Sequence, residues 1–206
     1  MTKNNKLKKN DEIHNRIMTD PGFALHYAAE TGDISLASRN IDNGKTDLNC
    51  VDNYGFTPLF RAVMQKQKSF ITFILDHGAD PDIQTREGFT PLMAAAESGN
   101  TEIVKILLEH NANPDLKTIQ GATSLHIAAS LGHIEVIKLL LEAGADTSIR
   151  DNTDIKKILE QQTGQDIIMT DGDENTLKGL TAFDVAKMCG QTSAEDILRK
   201  AQSNKG

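Results

Sequence analysis

Gly55-Phe56-Thr57-Pro58-Leu59 and Gly88-Phe89-Thr90-Pro91-Leu92 are two copies of one pentapeptide, and Gly121-Ala122-Thr123-Ser124-Leu125 is a looser third. The three glycines stand 33 residues apart. Self-similarity at such a period marks a supersecondary unit that buries its apolar face only against its own neighbours, so the chain reads first as a repeat array.

Within each unit the residue types dictate local structure. Thr57 and Thr90 precede Pro58 and Pro91; a threonine hydroxyl caps a helix start, and a proline at the first helical position sacrifices no hydrogen bond. The apolar residues that follow, such as Leu92, Ala95 and Ala96, give way at Gly99, a residue suited to a left-handed helix stop. A second apolar helix then runs from Ile103 to Leu108. Its copies end at Gly78, at Gly144 and at Asn111, asparagine being the usual substitute for glycine there. Helices this short are marginal alone in water, so stacked neighbours must supply the burial.

The fullest copy reads Gly121-Ala122-Thr123, Leu125-His126-Ile127-Ala128-Ala129, Gly132-His133, Val136 to Leu141 and Gly144-Ala145-Asp146. It resembles the ankyrin repeat. Copies are read at about 20–50, 52–84, 85–117, 118–150 and 179–200, about five in all. The expected fold is an all-α solenoid of stacked helix pairs with short β-hairpin turns and a 25-residue insertion in the last turn. Residues 1–19 are expected to form a basic tail and an N-terminal capping helix, with a C-terminal tail at 201–206.

The flanking units are more polar. Ala37-Ser38-Arg39-Asn40-Ile41 and Glu195-Asp196-Ile197-Leu198-Arg199-Lys200 replace the apolar Val104-Lys105-Ile106-Leu107-Leu108 of an internal repeat. Terminal repeats need a polar outer face, so both ends read as caps of a self-contained array.

The whole-chain numbers narrow the function class. Of 206 residues, 38% are hydrophobic and 25% charged, as in ordinary soluble chains. No apolar run approaches a membrane span, and the start lacks an apolar signal region, so neither membrane insertion nor export by that route is expected. A net charge of −7 argues against wholesale nucleic-acid binding. Lys3, Lys6, Lys8 and Lys9 make a small basic tail, read as a solvated end or, alternatively, as a targeting signal. Cys50 and Cys189 fall in distant repeats and are expected as free thiols of a reducing compartment, cytoplasmic or nuclear. The resemblance extends to secreted effectors of intracellular bacteria, which implies secretion into a host cell as an alternative, and the Lys-, Asn- and Ile-rich composition is compatible with an AT-biased genome.

The sequence carries no recognisable catalytic or metal signature. His26 and His126 occupy one repeat position, which the resemblance makes a structural hydrogen-bonding site, and three repeats place them too far apart for a shared ion. His77 and His110 share a register before the second-helix cap and are expected to face each other across adjacent repeats. Asp171-Gly172-Asp173-Glu174-Asn175 imitates a calcium loop, yet Thr176 and Ala182 stand where glycine and glutamate are required. No cofactor and no catalytic or metal residue is expected.

Three departures from the period stand out. Residues 154–178 are extra; 155–162 are expected to form a short helix, and 163–178, with Ile167-Ile168-Met169, either a dispensable loop or a partner-contacting arm. Lys66 stands where other copies have Gly32, Gly99, Gly132 and Gly190, and Phe60 where histidine is usual, so the turn of repeat two is expected to be altered.

Similarity to ankyrin proteins implies a concave partner-binding surface of turn tips and first helices. By register that surface holds Tyr54, Phe56, Arg86, Phe89 and Ile119 at the tips and Met64, Glu97 and Leu131 on the helices. Aromatics make up only 4% of the chain, so three at the tips favour a hot spot, with mutual packing of Phe56 and Phe89 as the competing account. The expectation is a monomeric, non-enzymatic interaction module, a regulator or effector that binds a protein partner. The alternative is an enzyme or small-ligand protein that uses 154–178.

Overall fold

A computed structural model describes residues 12–17, 19–42, 46–153 and 179–203, and among them all regular structure is helical. A helical stretch over 12–17 leads into successive helix pairs. These are α1 (Pro21–Thr31) with α2 (Ile34–Asp42), α3 (Pro58–Met64) with α4 (Lys68–Asp76), and α5 (Pro91–Glu97) with α6 (Thr101–Glu109). Two more follow, α7 (Ser124–Leu131) with α8 (Ile134–Glu142), and α9 (Ala182–Met188) with α10 (Thr192–Ser203).

The caps form as the residue types require. Thr57 and Thr90 hydroxyls accept the amides of Phe60 and Met93 at 3.1 and 3.2 Å, with Pro58 and Pro91 opening the helices. The α4, α6 and α8 ends are followed by positive φ at Gly78, Asn111 and Gly144. The first helix of the first pair departs: Asp20 caps it through Phe23 N–H at 3.0 Å, and α1 runs to 11 residues where α3 and α5 have 7.

First helices form one layer, α1 on α3 on α5 on α7 on α9, and second helices another, α2 on α4 on α6 on α8 on α10. The core is a strip between the layers. Leu25, Leu59, Leu92 and Leu125 recur along it from the first layer, and Ile71, Val104 and Ile137 from the second. These residues belong to one continuous cluster that runs through all the repeats, so the core is shared between units.

The turns close in a common register. Asp52, Thr85, Thr118 and Asp151 donate their amides to the carbonyls of Phe56, Phe89, Ala122 and Leu180 at 2.9 to 3.0 Å. The hairpin-shaped tips thus form without strand residues among those described. Ile119 N–H reaches Glu87 O at 3.0 Å and Asn152 N–H reaches Gln120 O at 2.8 Å, tying tip to tip. A second ladder runs along the base of the turns. Asn49, Asp82 and Asp115 side chains accept the amides of Asp80, Asn113 and Asp146 one repeat on, at 2.8 to 3.0 Å.

The turn of repeat two is not altered. Lys66 takes φ 58°, the left-handed value of Gly32 (74°), Gly99 (63°) and Gly132 (68°). At Gly32 and Gly99 a side chain would be crowded by the following repeat, whereas Gly190 has open space around it. A Cβ on Gly32 or Gly99 would stand within 2.6 Å of Gln67 Oε1 or 2.8 Å of the His133 ring, side chains supplied by the following repeat. The residue that follows Lys66 in that role is Asn100, whose side chain turns back to cap Ile103 N–H at 3.1 Å. The left-handed backbone still costs a lysine about 1 kcal/mol.

Residues 154–178 lie outside those described, and so do the readings of 155–162 as a helix and of Ile167-Ile168-Met169 as an arm.

Candidate functional site

Ring contacts fix the tip of repeat two. Phe56 stacks on Phe60 with centroids 4.8 Å apart and planes at 11°, and Tyr54 lies over Phe56 at 6.0 Å. Phe60, which replaces the usual histidine, is buried and anchors the stack. Phe56 is therefore stiffened within its own repeat, where the sequence had offered Phe89. Phe89 is half-buried and its amide donates to Thr85 Oγ1 at 3.2 Å.

Arg61 completes this cluster. Its Nε donates to Asp52 Oδ2 at 2.8 Å, its Nη2 to the same oxygen, and its Nη1 to Glu30 Oε1 of α1 at 3.0 Å. The guanidinium also lies 5.2 Å from the Phe56 ring centroid and 5.8 Å from that of Tyr54. Burial pushes the Asp52 carboxyl up, but the Arg61 bond and the Phe56 and Tyr54 amides outweigh it, so its pKa falls below the usual carboxylate range. One arginine thus joins repeats one and two while holding both tip aromatics in place.

Beside it opens a groove of about 620 Å³ between the 12–17 stretch, α1 and the repeat-two tip. Phe23, Tyr27, Val51 and Tyr54 supply apolar wall, Asp20, Glu30 and Asp52 the acids, and Arg16 and Arg61 the cations. Arg16 lies 3.9 Å over the Phe23 ring. Cys50 lines the groove, its Sγ 3.9 Å from His26 Nδ1. Burial, then Asp47, Asp20 and Asp52, push the thiol pKa up to about 11, so it is protonated at neutral pH and a poor nucleophile.

Most of the remaining predicted residues lie apart from the groove. Met64 and Leu131 are exposed near the ends of α3 and α7, and Glu97 is exposed at the end of α5. Ile119 is exposed at the fourth tip. Arg86 lies along the second tip, its Cγ 3.3 Å from where a Gly55 Cβ would stand. Of the eight, Tyr54 lines the groove.

Arg61, Asp52, Glu30, Phe23 and Tyr27 were missed. For Arg61 a signal existed: it puts a charge at a helix register that holds Ala94 and Ile127 in the next two copies.

The histidines sort by contact. His26 Nε2 is 2.9 Å from Phe56 O and His126 Nε2 is 2.8 Å from Leu180 O, each the second residue of the next Gly-x-Thr turn. At His126, Thr123 N–H and its hydroxyl meet Nδ1 at 3.3 and 2.9 Å, so Nδ1 accepts and Nε2–H donates. Burial pulls its pKa below the ordinary imidazole value. His110 finds its partner at Asp76, the residue before His77. Its Nε2 meets Asp76 Oδ1 at 3.1 Å, whereas His77 Nδ1 bonds Phe73 O at 2.7 Å. The Ile106 carbonyl, then Asp76, raise the His110 pKa.

Among the described residues no helix is long and apolar enough to cross a membrane, and no group of histidine, cysteine and acidic side chains could hold a metal ion.

Comparison with known proteins agrees with this geometry. A segment of 83 residues, 40% of the chain, is 36% identical to the human transient receptor potential cation channel subfamily A member 1, covering 7% of that protein. Another of 66 residues, 32% of the chain, is 30% identical to the mouse 2-5A-dependent ribonuclease, covering 9% of it. The chain thus spans less than a tenth of the length of these relatives. The family described as ankyrin repeats in three copies matches residues 4–85 and 69–151. With well over half its length inside those matches, this protein belongs to the ankyrin-repeat family.

Proposed function

We propose that the chain is a non-enzymatic binding module that recognises a protein partner on the face formed by its turn tips and first helices, acting as a regulator or effector. Ankyrin repeats generally mediate protein–protein interaction, and one observation supports this face in particular. Among the described residues the large hydrophobic side chains that stay exposed are Val51, Tyr54, Met64, Ile119, Leu131 and Met188, at 48% to 67%. All lie in or beside turns or at the ends of first helices. The second helices instead present ion pairs to solvent, such as Lys68–Glu102 and Lys138–Glu135. Exposed apolar groups confined to one face mark a contact surface.

On this reading the contact residues are Tyr54, Phe56, Met64, Arg86, Phe89, Glu97, Ile119 and Leu131. The working unit is 20–200, and the compartment is cytoplasmic or nuclear. The test is affinity capture with the intact chain, with a Tyr54→Ala, Phe89→Ala variant and with a Lys105→Ala, Lys138→Ala control on the opposite helices. The tip variant should lose the captured partner and the control should keep it. Equal capture by both would overturn the reading. Turnover of a small substrate that dies with deletion of 154–178 but survives the tip variant would favour an enzyme instead.

A further inference from the structure

We propose that the groove between α1 and the second tip seats a short basic segment of a partner protein, one whose lysine or arginine is flanked by an apolar residue. This rests on the reading of the tip face as a docking surface and names the chemistry of its N-terminal end. Two features of the groove select the occupant.

The first is charge. Arg61 is shared between Asp52 and Glu30, so that cluster keeps one net negative charge. Asp20 spends one oxygen on the Phe23 amide, and Asp47 adds a further acid near Cys50. Together Asp20, Glu30, Asp47 and Asp52 outnumber Arg16 and Arg61. Asp47, Asp20 and Asp52 all lie close enough to Cys50 to act on its thiol, although burial is the larger influence there. A segment carrying carboxylates or phosphates is thereby disfavoured and a cation favoured.

The second is shape and surface. About 620 Å³ accommodates two or three side chains, and Tyr27 and Tyr54 line it with aromatic rings suited to an aliphatic neighbour or to the cation itself.

Both tyrosines of the chain, Tyr27 and Tyr54, line this groove, and the chain has no tryptophan. Intrinsic emission therefore reports occupancy directly. The full chain would be titrated with three octapeptides lacking tyrosine and tryptophan. One carries lysine and leucine in a serine background, one glutamate in place of lysine, and one serine in place of leucine. The lysine–leucine peptide should give a saturable, salt-sensitive change, with the other two at least tenfold weaker. An Asp20→Asn, Glu30→Gln variant should bind it at least fivefold more weakly with little change in melting midpoint, since asparagine also caps a helix, glutamine still accepts from Arg61, and an exposed ion pair contributes little.

Equal binding of the glutamate peptide, or indifference to the variant, would overturn the inference. Equal binding of the leucine-free peptide would reduce it to attraction by the net charge of −7. If Lys3, Lys6, Lys8 and Lys9→Gln changes tyrosine emission with no peptide present, the occupant is the chain's own tail and the partner inference falls. Failure of all peptides while partner capture still depends on Tyr54 and Phe89 would sink the groove and leave the proposed function standing.

Discussion

The amide of Gly179 donates to the carbonyl of Thr153 at 3.2 Å, although 25 residues separate the two in sequence. Around that contact Asp151 N–H meets Leu180 O at 3.0 Å and Leu180 N–H meets Asp151 Oδ1 at 2.8 Å. Asp151, Asn152, Thr153, Gly179 and Leu180 thus reproduce the five-residue tip that Thr118 to Ala122 forms without interruption.

Excision of 154–178, with Thr153 joined to Gly179, is therefore expected to leave the stack folded. Shortening a loop also removes some closure entropy from the folded state. The melting midpoint should move by no more than about 4 °C, the shift that roughly 1 kcal/mol produces in a chain of this size. Loss of cooperative melting would show that the segment belongs to the last interface.

Leu107 is fully buried in the strip between the two helix layers. Leu107→Ala should cost about 2 to 5 kcal/mol, the range of buried leucine truncations. Chemical denaturation measures it, and an unchanged midpoint would place the residue outside the core.

Ser124 occupies the position of Pro58 and Pro91, and its buried hydroxyl has no hydrogen-bond partner. Ser124→Pro removes that orphan, costs no helical hydrogen bond and restricts the unfolded chain. Stability should rise by about 1 kcal/mol. Destabilisation in the same measurement would mean that the fourth helix start cannot accept the ring.

His126 gives a pH dependence of definite sign. Its folded pKa lies below the ordinary value of about 6.5, so the unfolded chain takes up a proton first as pH falls. Stability from this residue is full above about pH 6.5 and is lost progressively below it. His110, with its raised value, acts oppositely: its contribution is present below about pH 6.5 and lost as pH rises through the folded pKa. The His126→Gln variant should flatten the acid-side decline seen in denaturation between pH 7 and 5. A decline unchanged by the substitution would assign it to other groups.

The pentapeptide and its cap residues made the helix pairs, their order and their stops legible, because those features follow from residue types at one spacing. The Lys66 turn keeps the left-handed backbone of its glycine counterparts, which residue type alone does not foretell. The Asn49–Asp82–Asp115 ladder was present in the period but was not read, its partners being backbone amides of the next unit. The groove was illegible because its walls break the period. The 12–17 stretch and the longer α1 are unique to one end, and Arg61 replaces residues such as Ala94 and Ile127.

Methionine oxidation tests the tip face most directly. Met64 and Met188 are exposed on that face at 51% and 56%, whereas Met93 is fully buried and serves as an internal reference. Peroxide treatment of the free chain and of its complex with the captured partner, read by mass spectrometry, gives each rate. A partner seated on the tip face should slow Met64 oxidation at least fivefold. Met64 oxidised equally fast in the complex and the free chain would contradict it.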